Sequence, residues 1–108
     1  MVFGAFSKMI NNLPVQAVIA ALELECKMLE NDKENRRLDA HVQEDTFSIL
    51  SFGQFVRMAK KGEVARFDKP LPPDHLEFYR ETIVRLVNAG ELAPPAMEQF
   101  ANAFRLVS

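Results

Sequence analysis

The chain is predicted to be all-α, a four- or five-helix, mostly antiparallel bundle, and three observations predict it. Apolar residues recur at i, i+3, i+4 and i+7 along most of the 108 residues, the spacing that lines one face of a 3.6-residue helix. All 6 prolines, together with Gly62 and Gly90, fall between these periodic stretches, where helices start and stop. No stretch of alternating apolar residues has a second one to pair with, and a lone strand is not stable in water.

The elements follow in order. Val2, Phe3, Phe6, Met9, Ile10 and Leu13 share one narrow face with Lys8 and Asn11 opposite, which predicts a short amphipathic helix over 2–12. Pro14 is suited to a first helical turn, where its missing N–H is no loss, so a second helix is expected over about 14–30. On it Val15, Val18, Ile19, Leu22, Cys26 and Leu29 make one stripe, and Ala17, Ala21, Leu24 and Met28 make another nearly opposite. A helix of that kind should be covered on two sides. Residues 31–43 are mostly polar and charged, leaving Leu38 and Val42 to pack, and read as an exposed helical extension or loop.

Over 44–61, Phe47, Ile49, Phe52, Phe55, Val56 and Met58 cover more than half of a helical circumference, leaving Gln54, Arg57 and Lys61 on the remainder. This is the expected central helix. Propensity alone would also permit a strand over 46–52, but the polar face continues unbroken to Lys61, which favours helix. Gly62 is expected to close it. Phe67 to Pro73 form a proline-stiffened connector, and Asp74 with Glu77 three residues on has the form of a capping box. The fourth helix should carry Leu76, Tyr79, Ile83, Leu86 and Val87 inward and end at Asn88-Ala89-Gly90. Pro94-Pro95 opens a last helix with Met97, Phe100, Ala101, Phe104 and Val107 on one face.

Hydrophobic residues make up 48% of the chain and charged residues 26%, ordinary values for a globular domain and far from those of disorder. The length suits one core, so a single helical domain is expected over 1–108, with the short helix 2–12 leading a main bundle over 14–107. A net charge of -2 creates no field that would draw in a polyanion, and nucleic acid is not an expected partner. One cysteine cannot form an internal disulfide and fits a reducing compartment. With no apolar run near the roughly 18 residues of a membrane span and no leader-like N-terminus, a cytoplasmic location is expected.

The chemistry-bearing residues do not assemble into a site. Cys26 lies on an apolar stripe, as a buried inert thiol does. His41 and His75 have no carboxylate or histidine partner at metal-ligand spacing. Asp74-His75 is read as a helix cap followed by a solvated imidazole, since an acid–base pair would need a pocket and a third group. The 4 glycines do not form a phosphate loop. A helix-turn-helix over 83–104 would present Ala96, Glu98, Gln99 and Asn102 where a basic, base-reading surface is needed. Catalytic residues, metal ligands and cofactors are therefore not expected.

Two surface features remain. The apolar faces carrying Phe3, Phe6 and Ile10, and Ala17, Ala21, Leu24 and Met28, exceed what one small bundle needs, which implies docking to a second copy or to another protein. The stretch with Arg57, Lys60, Lys61, Arg66 and Lys69 is positive, whereas residues 23–45 carry Glu23, Glu25, Glu30, Asp32 and Glu34. Lysines near a helix C-terminus also complement its dipole, but the cluster offers a surface to an acidic partner. The expected role is a non-catalytic protein–protein interaction module, a homodimer or a small subunit or adaptor of an assembly. The alternatives are a regulator touching nucleic acid through the basic 57–69 patch and a bundle enclosing a small molecule in its phenylalanine-rich core.

Overall fold

Among the described residues of the computed structural model the periodic stretches become five helices: α1 (Val2–Asn12), α2 (Val15–Asn35), α3 (Ala40–Lys60), α4 (Pro73–Asn88) and α5 (Pro95–Ala103). The structure describes residues 2–35, 40–67 and 69–104. Among these no strand occurs, and residues 46–52 are helical. The fold is all-α. Leu38, in the polar stretch between α2 and α3, and Val107, at the end of the last helical stripe, lie outside the described residues. The chain divides into two units, Met1–Gly53 and Gln54–Ser108.

In the first unit the buried apolar side chains are Phe3, Phe6 and Ile10 of α1, Val18, Ile19, Leu22, Cys26 and Leu29 of α2, and Ile49 and Phe52 of α3. Two contacts fix how these helices meet. The Asp45 carboxylate, carried by α3 and 8% exposed, accepts the backbone N–H of Phe3 through Oδ2 at 3.0 Å. Phe3 lies in the first turn of α1, so Asp45 satisfies an amide that has no partner within its own helix and places a negative charge at the positive end of the dipole. The Cys26 thiol of α2 points at the Ile49 carbonyl, 3.7 Å away, and its sulfur fills the space a Cβ at Gly53 would occupy. Glycine at 53 is what lets α2 and α3 approach this closely.

In the second unit the apolar interior is built from Phe55 and Val56 of α3, Ala65 and Leu71 of the connector, Tyr79, Ile83 and Leu86 of α4, Leu92, and Ala96, Phe100, Ala103 and Phe104. The Phe55 ring meets Phe100 edge-on at 5.5 Å and lies 6.0 Å from Phe104. Phe67 stacks on Phe104 with centroids 4.7 Å apart and planes within 5°, while its N–H donates to the Ala103 carbonyl at 3.1 Å. The connector is thereby pinned to the end of α5.

Helix ends obey the glycine signals and depart from one polar signal. Gly62 has φ +76° and Gly90 φ +78°, and the residues after them close back on the helices through Glu63 N–H to Met58 O at 2.9 Å and Glu91 N–H to Leu86 O at 2.9 Å. These are the six-to-one bonds of a Schellman cap. The capping box expected at Asp74 does not form. Pro72 is the N-cap, with φ -55° and ψ 140° and no side-chain hydrogen bond, and Pro73 takes the first helical position. The Leu76 N–H already bonds the Pro72 carbonyl at 3.1 Å, so Asp74 lies inside the first turn, where its charge complements the dipole.

Three burial expectations are also corrected. His75, read as solvated, is 3% exposed and buried with Thr82 on the inner face of α4, its ring 6.4 Å from that of Tyr79. On α5 the buried positions are Ala96, Phe100 and Ala103, whereas Met97 is 44% exposed and Ala101 is exposed. The helix is rolled about the Phe100–Phe104 axis so that small alanines lie inward. Phe47, placed on the inner side of α3 by periodicity, is at the surface.

Candidate interaction surfaces

The first surface belongs to α2. Its stripe of Val18, Ile19, Leu22, Cys26 and Leu29 is buried, and this fixes the rotation of the helix. Ala17, Ala21, Leu24 and Met28 then face the other way, at i, i+4, i+7 and i+11. Leu24 is 61% exposed and Met28 55%, while Ala17 and Ala21 are half-buried. The helix is thus covered on one side by its own chain, and along the second stripe it is exposed at Leu24 and Met28 and half-buried at Ala17 and Ala21. Exposed Lys27 and half-buried Glu25 and Asp32 flank this ridge.

Phe3, Phe6 and Ile10, expected to form a separate docking face, are placed in the interior at 7%, 2% and 1% exposure. The reason is local. The Asp45 bond to Phe3 draws in the start of α1, and α1 lies against α2, so the face that looked superfluous in the sequence packs inside the chain.

The second surface is the end of α3 and the connector after it. Arg57, Lys60, Lys61, Arg66 and Lys69 are all exposed, as is Glu63 between them. Asp68, the other acid of the stretch, lies outside the described residues. Arg57 and Lys60 occupy the last turn of α3, where their charge complements the carbonyl end of the helix. In their midst Val64 is 62% exposed. An aliphatic side chain among exposed cations gives this surface an apolar point of contact that periodicity could not reveal, because Val64 belongs to no helix.

Cys26 is 3% exposed within the first unit, far from the accessibility a nucleophilic thiol needs. His75 is buried and the neighbouring Asp74 is exposed, so the two adjacent side chains point into different surroundings. The side chain of His41 lies outside the described residues. Among the described residues, no group of three or more His, Cys, Asp or Glu side chains is placed to hold a metal ion, and no helix is long and apolar enough to cross a membrane. No family model, no curated protein and no solved structure matches this chain.

Proposed function

We propose that this chain is a non-catalytic helical interaction module, working as a homodimer or as a small subunit of a larger assembly. The ridge of α2 carries this reading. Leu24 and Met28 stand one turn apart with most of their surface in water, and the alanines below them extend the apolar strip for another two turns. Single exposed aliphatics are common on any surface, but a continuous strip along a helix is the form that helix-docking faces take. Burying it gains roughly 25 cal/mol per Å² of apolar area. The exposed cations of residues 57–69 supply what an apolar strip lacks, a preference among partners and an orientation on approach.

The test is the size of the native assembly. In gel filtration of a native lysate the chain should elute well above the mass of one copy. Replacing Leu24 and Met28 together by glutamate should move it to the single-chain position without lowering its melting temperature, because neither side chain contributes to the interior. Elution as one copy, or an assembly indifferent to the double replacement, refutes the reading.

A further inference from the structure

We infer that the basic surface at the end of α3 and along the connector after it docks an acidic peptide segment that carries an aliphatic residue among its carboxylates, with that residue set against Val64. The inference rests on the reading of the chain as an interaction module but not on the α2 ridge, and it names the partner of a different face. Residues 57–69 hold five cations, Arg57, Lys60, Lys61, Arg66 and Lys69, against two acids, Glu63 and Asp68, in a chain whose net charge is -2. All five cations are exposed. A positive excess concentrated on one short stretch of an otherwise acidic molecule selects an anionic partner and speeds its approach.

Val64 narrows the class of anion. It is 62% exposed, yet both of its neighbours are tied down. Glu63 closes the cap of α3 through its N–H on the Met58 carbonyl at 2.9 Å, and Ala65 is buried at 4% exposure. The isopropyl group is therefore held outward, with Lys61 and Arg66 close by in the chain, where it suits a partner that offers an apolar side chain between acids. Other polyanions fit less well. Single-stranded nucleic acid binds on aromatic platforms, and the one ring of the connector, Phe67, is half-buried and stacked on Phe104. A duplex or an anionic bilayer presents a continuous field of negative charge, in which the exposed Glu63 is repelled. A peptide can set its aliphatic residue or a backbone N–H there instead. One valine is also a small anchor for a bilayer, where even a single myristoyl chain binds only marginally.

Fluorescence anisotropy with the purified full chain tests this, using two labelled synthetic peptides: four glutamates around a central leucine, and the same with serine at the centre. At low ionic strength the leucine peptide should bind, with an affinity that falls as salt is added. Val64→Ser should weaken it by about three- to tenfold and leave the affinity for the serine peptide unchanged, the coupling that a direct contact requires. Arg57→Glu combined with Lys61→Glu should abolish binding of both. All three replaced side chains are exposed, so circular dichroism should show the fold retained. A short DNA duplex, and vesicles of phosphatidylcholine and phosphatidylserine at four to one, should bind more weakly than the leucine peptide. Equal affinity for the two peptides, or indifference to Val64→Ser, overturns the contact with Val64. Binding that survives the two charge reversals overturns the site, as does failure of the leucine peptide to bind at low salt. Tighter binding of the duplex or the vesicles, lost with the reversals, overturns the acidic peptide as the partner. The assembly tested through Leu24 and Met28 is read separately, so this inference can fail while the interaction reading stands.

Discussion

Gly53 and Cys26 show how one missing side chain can set the distance between two helices. A methyl group at 53 would overlap the Cys26 sulfur, and neither helix has room to yield without disturbing Leu22, Ile49 and Phe52, all within 1% of full burial. Gly53→Ala should therefore destabilise the chain by about 1–3 kcal/mol through overpacking, even though alanine is the better helix former by about 1 kcal/mol. Adding Cys26→Ala removes the sulfur from the space the new methyl needs, so the double variant should be more stable than the sum of the single effects. Chemical denaturation of the four proteins in a cycle measures that coupling; strictly additive losses would show that the two positions do not touch. Thr46 makes the converse case. Its hydroxyl is buried with no hydrogen-bond partner among the described residues, a desolvation cost of about 1–3 kcal/mol. Thr46→Val keeps the shape and removes the polar atom, and should raise the denaturation midpoint. Neither feature was legible in the sequence, because each depends on what a different helix brings next to it.

Helix identity was legible where two local signals agreed, and helix detail was lost where one signal had two solutions. Gly62 and Gly90 combine an apolar stripe that stops with the residue that tolerates positive φ, and both ends fall where the sequence puts them. A Cβ added at either glycine would meet nothing within 4 Å, so Gly62→Ala should cost about 1–2 kcal/mol from backbone strain alone, with asparagine costing less; equal stability of all three proteins would mean the turn relaxes to another conformation. The start of α4 went differently because Asp74-x-x-Glu77 and Pro72-Pro73 both mark a helix start, and the prolines act one and two residues earlier. On α5, Phe100 and Phe104 fix the core side, but alanines lie on both flanks, and periodicity cannot tell Ala96 and Ala103 from Ala101. Packing chooses the flank on which small residues let the backbones approach. The stripe on α3 had no such ambiguity at its centre. Phe52 and Phe55 are each 1% exposed, and truncating either to alanine should cost about 3–5 kcal/mol, enough to unfold much of a domain with ordinary stability. Melting within a degree or two of the parent would place those rings outside the interior.

Surfaces were the least legible part, and for a physical reason: periodicity says which residues share a helix face, while only the assembled chain decides which faces are used up. Phe3, Phe6 and Ile10 looked as available as Leu24 and Met28 until Asp45 and α2 were placed beside α1. The basic stretch was legible throughout, because charged side chains stay in water wherever the backbone runs, and Arg57, Lys60, Lys61, Arg66 and Lys69 are all exposed. What sequence could not supply was the exposure of Val64 among them. If this surface steers an acidic protein onto the chain, reversing Arg57 and Lys61 to glutamate should reduce the association rate and its dependence on salt while leaving dissociation and melting temperature nearly unchanged, since long-range charge acts on encounter more than on the docked state. Stopped-flow or surface-binding kinetics at two ionic strengths separates the two rates. The same reversal should leave the affinity for duplex DNA or RNA unaltered, because with a net charge of -2 little binding is expected at physiological salt. Tight nucleic-acid binding that falls steeply with added salt and disappears with the two reversals would instead make phosphate the ligand of this surface. Unchanged kinetics with every partner would reduce Arg57 and Lys60 to their dipole role at the end of α3.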